Sequence, residues 1–92
     1  MDQNQKDQEF RKMADTFITL ANEHCDSTAN ALVGSTLLYA TARFSAFVVA
    51  SHAKNEAHYE AEIDNAVEYF GDEFKRMLVE NLEQYRSVFK ET

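Results

Sequence analysis

Four side chains of this 92-residue chain belong to types that bind transition metals. Imidazole nitrogens and thiolates suit zinc and copper, but the sequence has no Cys-x-x-Cys pair, no His-Glu-x-x-His run and no Glu-x-x-His run. An antiparallel pair of helices would also hold His24 and Cys25 at one end and His52 and His58 at the other. We therefore predict no metal centre and no cofactor. The four residues are His24, Cys25, His52 and His58.

Carboxylates and a thiol offer acid–base or nucleophilic chemistry. The stretch from Glu56 to Glu73 holds seven carboxylates and, apart from His58, no basic residue. Carboxylates serve as acid–base catalysts when burial or crowding separates their pKa values, whereas helical surface spacing is typical of a solvated face. Cys25 has only His24 beside it, with no identifiable group to orient the histidine. We predict that the protein is not an enzyme.

Arg43 is the one formal charge in the apolar run from Ala31 to Ala53. A guanidinium in such surroundings must find acceptors or extend toward water. A carboxylate of the third segment, such as Glu68, would satisfy it, and we expect a buried pair. The alternative is that Arg43 and Tyr39, one helical turn away, bind a small anionic or apolar ligand between helices.

The composition indicates one all-α domain spanning residues 1–92. The chain has no proline and two glycines, too few turn formers for a many-stranded sheet. A formal net charge of −7 without a basic stripe argues against a nucleic-acid partner. A single cysteine excludes an intrachain disulfide, and the N-terminal MDQNQKDQEF has no apolar signal core. We predict a cytoplasmic protein.

Apolar residues at three- and four-residue spacing predict helices at about 7–24, 27–54 and 57–89. We expect Asp26 or Ser27 to cap the second helix. We expect the third to be one long helix, and a kink or break at Gly71 is the alternative. The predicted fold class is an all-α, three-helix antiparallel arrangement with a long C-terminal helix, completed by dimerisation.

The middle helix has about the length that spans a bilayer. Arg43 lies well inside it, small polar residues dilute its apolar content, and neither flank carries a basic cluster. We predict a buried helix of a soluble protein and no membrane partner.

Three strings along the chain resemble a known family. They are ADTFITLANE from Ala14 to Glu23, LLYATARFSAF from Leu37 to Phe47 and MLVENL from Met77 to Leu82. They resemble a family of small proteobacterial proteins classed as a domain of unknown function, over about residues 10–89. The resemblance implies a bacterial cytosolic protein and supplies no catalytic motif to carry across.

The far end of the third helix is the predicted interface. A short first helix cannot cover a long third one, and Leu82, Tyr85 and Phe89 continue its apolar stripe to the chain end. Contiguous exposed apolar patches mark interaction sites. We predict a protein-interaction or regulatory module acting as a homodimer, with an unidentified protein partner possible. The alternative is a ligand-binding protein that uses a pocket near Tyr39 and Arg43.

Overall fold

Residues 2–90 of the chain are described by a computed structural model. They form three helices and no strand: α1 (Gln3–His24), α2 (Asn30–His52) and α3 (Glu56–Lys90). The prediction of an all-helical protein is confirmed. Two compact units divide the chain, one ending at Arg43 and the other beginning at Phe44. The first unit contains α1 and the start of α2, and the second contains the rest of α2 and α3.

Helix α1 begins earlier than its apolar pattern indicates because Asp2 caps it. The Asp2 carboxylate accepts a hydrogen bond from the backbone N–H of Gln5 at 2.8 Å, and the Gln5 side chain accepts one from the N–H of Asp2 at 3.4 Å. This reciprocal pair satisfies two backbone donors at the helix start. Helical structure therefore extends ahead of Phe10, the first large apolar residue of α1.

The turn between α1 and α2 differs from the one the sequence predicts. The backbone N–H groups of Asp26 and Ser27 donate to carbonyls three residues back, in the last turn of α1. Helix α2 begins only at Asn30, where the carbonyl of Ala29 accepts its first hydrogen bonds. The expected side-chain cap by Asp26 or Ser27 is wrong for the described residues, because both residues still belong to the turn that closes α1.

Helix α3 begins at a cap built from Asn55 and His58. The Asn55 Oδ1 atom accepts from the backbone N–H of His58 at 2.9 Å, and the Asn55 carbonyl accepts from the N–H of Tyr59 at 3.0 Å. The Nδ1 atom of His58 accepts from the N–H of Lys54 at 3.0 Å, which requires a neutral ring with its proton on Nε2. Together these bonds turn the chain from α2 into α3 within residues 53–55.

Helix α3 runs without interruption through Gly71, as the spacing of its apolar residues predicts. Its first turn contains Glu56 and its last turn contains Lys90. This placement of charges complements the helix dipole at both ends.

No described residue is buried. The half-buried apolar residues lie close to the two turns, and the rest of the apolar side chains are exposed. Each unit therefore packs its helices together mainly next to the turn that joins them. The half-buried apolar residues are Ala21, Cys25 and Val33 in the first unit, and Val48, Val49, Ala53, Tyr59, Ile63 and Ala66 in the second.

Candidate functional site

A continuous apolar stripe follows α3 beyond its packed beginning. Its members recur at three- and four-residue spacing, so they share one face of the helix. After Val67, the exposed fractions increase from 38% for Phe70 to 60% for Leu82, 68% for Tyr85 and 78% for Phe89. We call this set the α3 stripe: Val67, Phe70, Phe74, Met77, Leu78, Leu82, Tyr85 and Phe89.

The lengths of the helices limit how much of α3 the second helix could cover. At about 1.5 Å per residue, α3 extends about 52 Å and α2 about 35 Å. Residues 53–55 join the two helices, so even a fully doubled-back α2 would reach only about residue 78 of α3. Leu82, Tyr85 and Phe89 lie beyond that point. The predicted interface residues are thus out of reach of α2.

Charged residues border the α3 stripe along one edge. Glu68, Lys75 and Arg86 are separated by seven and eleven residues, which places these three in one row, while Asp64 and Glu60, four and eight residues before Glu68, lie progressively closer to the α3 stripe. The row is acidic in its first half and basic in its second. Among the described residues, the first four of the row form no ion pair. We call this row the charged edge: Glu60, Asp64, Glu68, Lys75 and Arg86.

The ion pairs of Arg76 lie on other faces of α3, whereas Arg86 of the charged edge pairs with Glu83 of its own helix. Arg76 donates to Glu73 at 2.8 Å and to Glu80 at 3.0 Å. The hydrogen bond and charge of Glu73, followed by those of Glu80, raise the pKa of the Arg76 guanidinium above its ordinary value. Arg86 lies 2.9 Å from Glu83. Exposed pairs of this kind stabilise a helix only slightly, and they leave the α3 stripe uncovered.

The first unit contains an apolar cleft of about 340 Å³ beside the turn that joins α1 and α2. Thr36, one of its few polar residues, already donates its hydroxyl to the carbonyl of Leu32 at 2.8 Å. The sequence places the lining residues on apolar faces, but periodicity does not show which faces meet beside the turn. The lining consists of Phe17, Leu20, Ala21, His24, Thr28, Leu32, Val33, Thr36, Leu37 and Ala40.

Tyr39 and Arg43 lie one turn apart on α2, and neither lines this cleft. Tyr39 is 70% exposed. Arg43 is exposed as well, and no hydrogen bond or ion pair within residues 2–90 involves it. The expectation that Arg43 is buried is wrong within the described chain, because its side chain is exposed to solvent.

His24 and Cys25 belong to the first unit, and His52 and His58 belong to the second. His52 bonds through Nδ1 to the carbonyl of Val48 at 2.8 Å, and His58 is engaged in the cap of α3. Cys25 is a half-buried free thiol in the first unit. Within residues 2–90, no group of three or more His, Cys, Asp or Glu side chains is arranged to hold a metal ion.

Helix α2 has the length and composition of a membrane span, with a mean hydropathy of 1.4 over its most apolar window. None of that window is buried, so the prediction of a buried middle helix is wrong within residues 2–90, where neither neighbouring helix covers α2. Length and composition alone are weak support for a span, because the core helix of a soluble protein meets the same two conditions.

Three helices and no strand over residues 2–90 define a small all-helical protein. The chain belongs to the family described as protein of unknown function (DUF3144), whose model matches residues 10–86. The resemblance found in the sequence is confirmed. Searches of curated proteins and of solved structures gave no match to the chain.

Proposed function

We propose that this protein is a homodimeric protein-interaction module whose subunit interface includes the end of α3. The observation that carries the proposal is the exposure of Leu82, Tyr85 and Phe89 beyond the reach of α2. A solvated tail has no use for an apolar stripe, and a soluble chain that exposes one gains stability by covering it. Two-fold pairing of identical chains is the commonest way to do so.

The available area suits a dimer. Members of the α3 stripe are 38% to 78% exposed. With about 150–250 Å² for each aromatic side chain and somewhat less for the others, the stripe exposes on the order of 900 Å². A standard protein–protein interface buries about 800 Å² on each partner. The α3 stripe alone is therefore large enough to support a stable contact.

We also infer an antiparallel course for consecutive helices. Short connections between helices favour antiparallel neighbours, and residues 25–29 and 53–55 are such connections. Residues from the second half of α1 and the first half of α2 line one cleft, which agrees with this course in the first unit.

We propose a cytoplasmic location without a nucleic-acid or membrane partner. The formal net charge of −7 opposes contact with phosphate backbones, and Arg43 near the middle of α2 opposes insertion into a bilayer. Ligand binding near Tyr39 and Arg43 stays a prediction, since no described contact favours it.

Sedimentation equilibrium with matched variants tests the proposal. The double substitution Tyr85→Glu, Phe89→Glu places four carboxylates in the dimer interface and should shift the protein toward monomer. The control Val79→Glu, Ser87→Glu adds the same charge to α3 off the α3 stripe and should leave the dimer intact. An equal shift in both variants, or a monomeric wild type, contradicts the proposal.

A further inference from the structure

We infer that the two subunits pair through antiparallel α3 helices, so that the acidic half of each α3 lies beside the basic half of the other. This inference rests on the proposed homodimer and adds the partner surface and its orientation. The occupant of the α3 stripe is thus a second copy of α3.

The distribution of charge along α3 is the first reason. Residues 56–73 contain seven carboxylates and no lysine or arginine. Residues 74–90 contain four lysines and arginines against two carboxylates. A parallel pair would place seven carboxylates beside seven others, and like charges at short range repel. An antiparallel pair places each acidic half beside a basic half, and it also opposes the two helix dipoles.

The charged edge gives the second reason. Charges that flank an apolar seam set the orientation of paired helices. When two copies of one helix pair antiparallel about their midpoints, the charged edge of one copy lies beside the charged edge of the other. The midpoint of α3 lies near residue 73, so Glu60 of one copy lies at the same level along the pair as Arg86 of the second copy, where it would share the guanidinium with Glu83. Symmetry repeats that contact at the other end.

Other helices of the chain match the α3 stripe less well. Helix α2 has no carboxylate and only Arg43 as a formal charge, so it offers nothing to the basic half of α3. Its length also leaves the end of α3 uncovered. A second α3 has equal length and the complementary charge sequence, and in this register the two α3 stripes overlap over residues 67–79. Leu82, Tyr85 and Phe89 of one copy then lie at the level of residues 57–64 of the other.

Cross-linking of single-cysteine chains tests the orientation. Cys25→Ser removes the one native thiol, and Glu62→Cys or Gln84→Cys then adds a thiol on the opposite border of the α3 stripe. In one helix these two positions are about 33 Å apart, far beyond the reach of a short bis-maleimide. Antiparallel pairing predicts a cross-linked dimer when the two variant chains are mixed and re-equilibrated. Each variant alone should give little cross-linked dimer.

The outcomes separate the inference from the proposed function. A dimer in which each variant cross-links to itself is parallel and overturns the inference alone. A dimer with no cross-link in any mixture places the interface elsewhere and also overturns it. A wild-type chain that is monomeric by sedimentation removes the homodimer itself. Circular dichroism confirms that each variant retains the wild-type helix content.

A charge swap gives an independent readout. Arg86→Glu should raise the dimer dissociation constant about tenfold, because two symmetry-related contacts become repulsive. Adding Glu60→Arg in the same chain should restore most of the affinity. If the second substitution weakens the dimer further, Glu60 and Arg86 do not face each other and the inferred register is wrong.

Discussion

Asn55 and His58 determine where α3 starts. The two side chains satisfy backbone N–H groups on either side of the turn, at 2.9 and 3.0 Å. The first N–H groups of a helix have no partner within the helix. By accepting from backbone N–H groups at this turn, these two side chains determine where the 35-residue helix α3 begins. The sequence suggests a start between residues 55 and 59, but the role of His58 as an acceptor depends on its ring orientation.

Asn55→Ala should lower the free energy of unfolding by about 1 kcal/mol, because the N–H of His58 loses its side-chain acceptor. Asn65→Ala is the matched control, since Asn65 makes no side-chain hydrogen bond within residues 2–90. Alanine favours helix more than asparagine does, so the control should be neutral or slightly stabilising. Urea unfolding at one fixed protein concentration measures both. Equal effects would show that the cap does not stabilise α3.

Arg43→Ala should change the free energy of unfolding by less than about 0.5 kcal/mol, as is usual for a surface substitution. The side chain is exposed and has no ion pair within the described chain. Denaturant unfolding of the variant measures the effect. A loss of about 3 kcal/mol or more would mean that the assembled protein buries Arg43 against acceptors.

At the scale of helices, the apolar spacing of the sequence predicts the number of helices and the continuity of α3. It does not predict the helix ends, because Asp2 and Asn55 act through side-chain hydrogen bonds that periodicity does not contain. It also does not predict the apolar cleft of the first unit, which depends on the faces of α1 and α2 that meet beside their turn. The interface residues Leu82, Tyr85 and Phe89 follow from helix length and stay a prediction.

Gly71→Ala should raise the free energy of unfolding by about 1 kcal/mol, since glycine is a poor residue in a helix interior. An added Cβ would meet nothing within 4 Å, and the glycine has no positive φ angle. Thermal or denaturant unfolding measures the gain. Gly71 lies on the face of the α3 stripe near the midpoint of the inferred dimer. An unchanged or lower stability would therefore indicate that the partner's α3 approaches this backbone too closely to admit a Cβ.

For the whole molecule, the apolar sequence of α2 is compatible with two environments, a protein interior and a lipid bilayer. A helix apolar on all sides suits either a protein interior or a bilayer. The proposed soluble dimer predicts that the purified protein stays in solution without detergent and does not float with phospholipid vesicles in a density gradient. Vesicles of neutral and of anionic lipid should give the same result. Flotation with either kind would assign α2 to the membrane instead.

The central claim is that two copies of this chain cover each other through the end of α3. Sedimentation equilibrium of the wild-type protein at micromolar concentration tests it most directly. The expected result is a mass of about twice the 10.6 kDa of one chain, constant over the upper part of the concentration range. A mass of one chain throughout that range would contradict the claim and would leave Leu82, Tyr85 and Phe89 to be covered within a single chain.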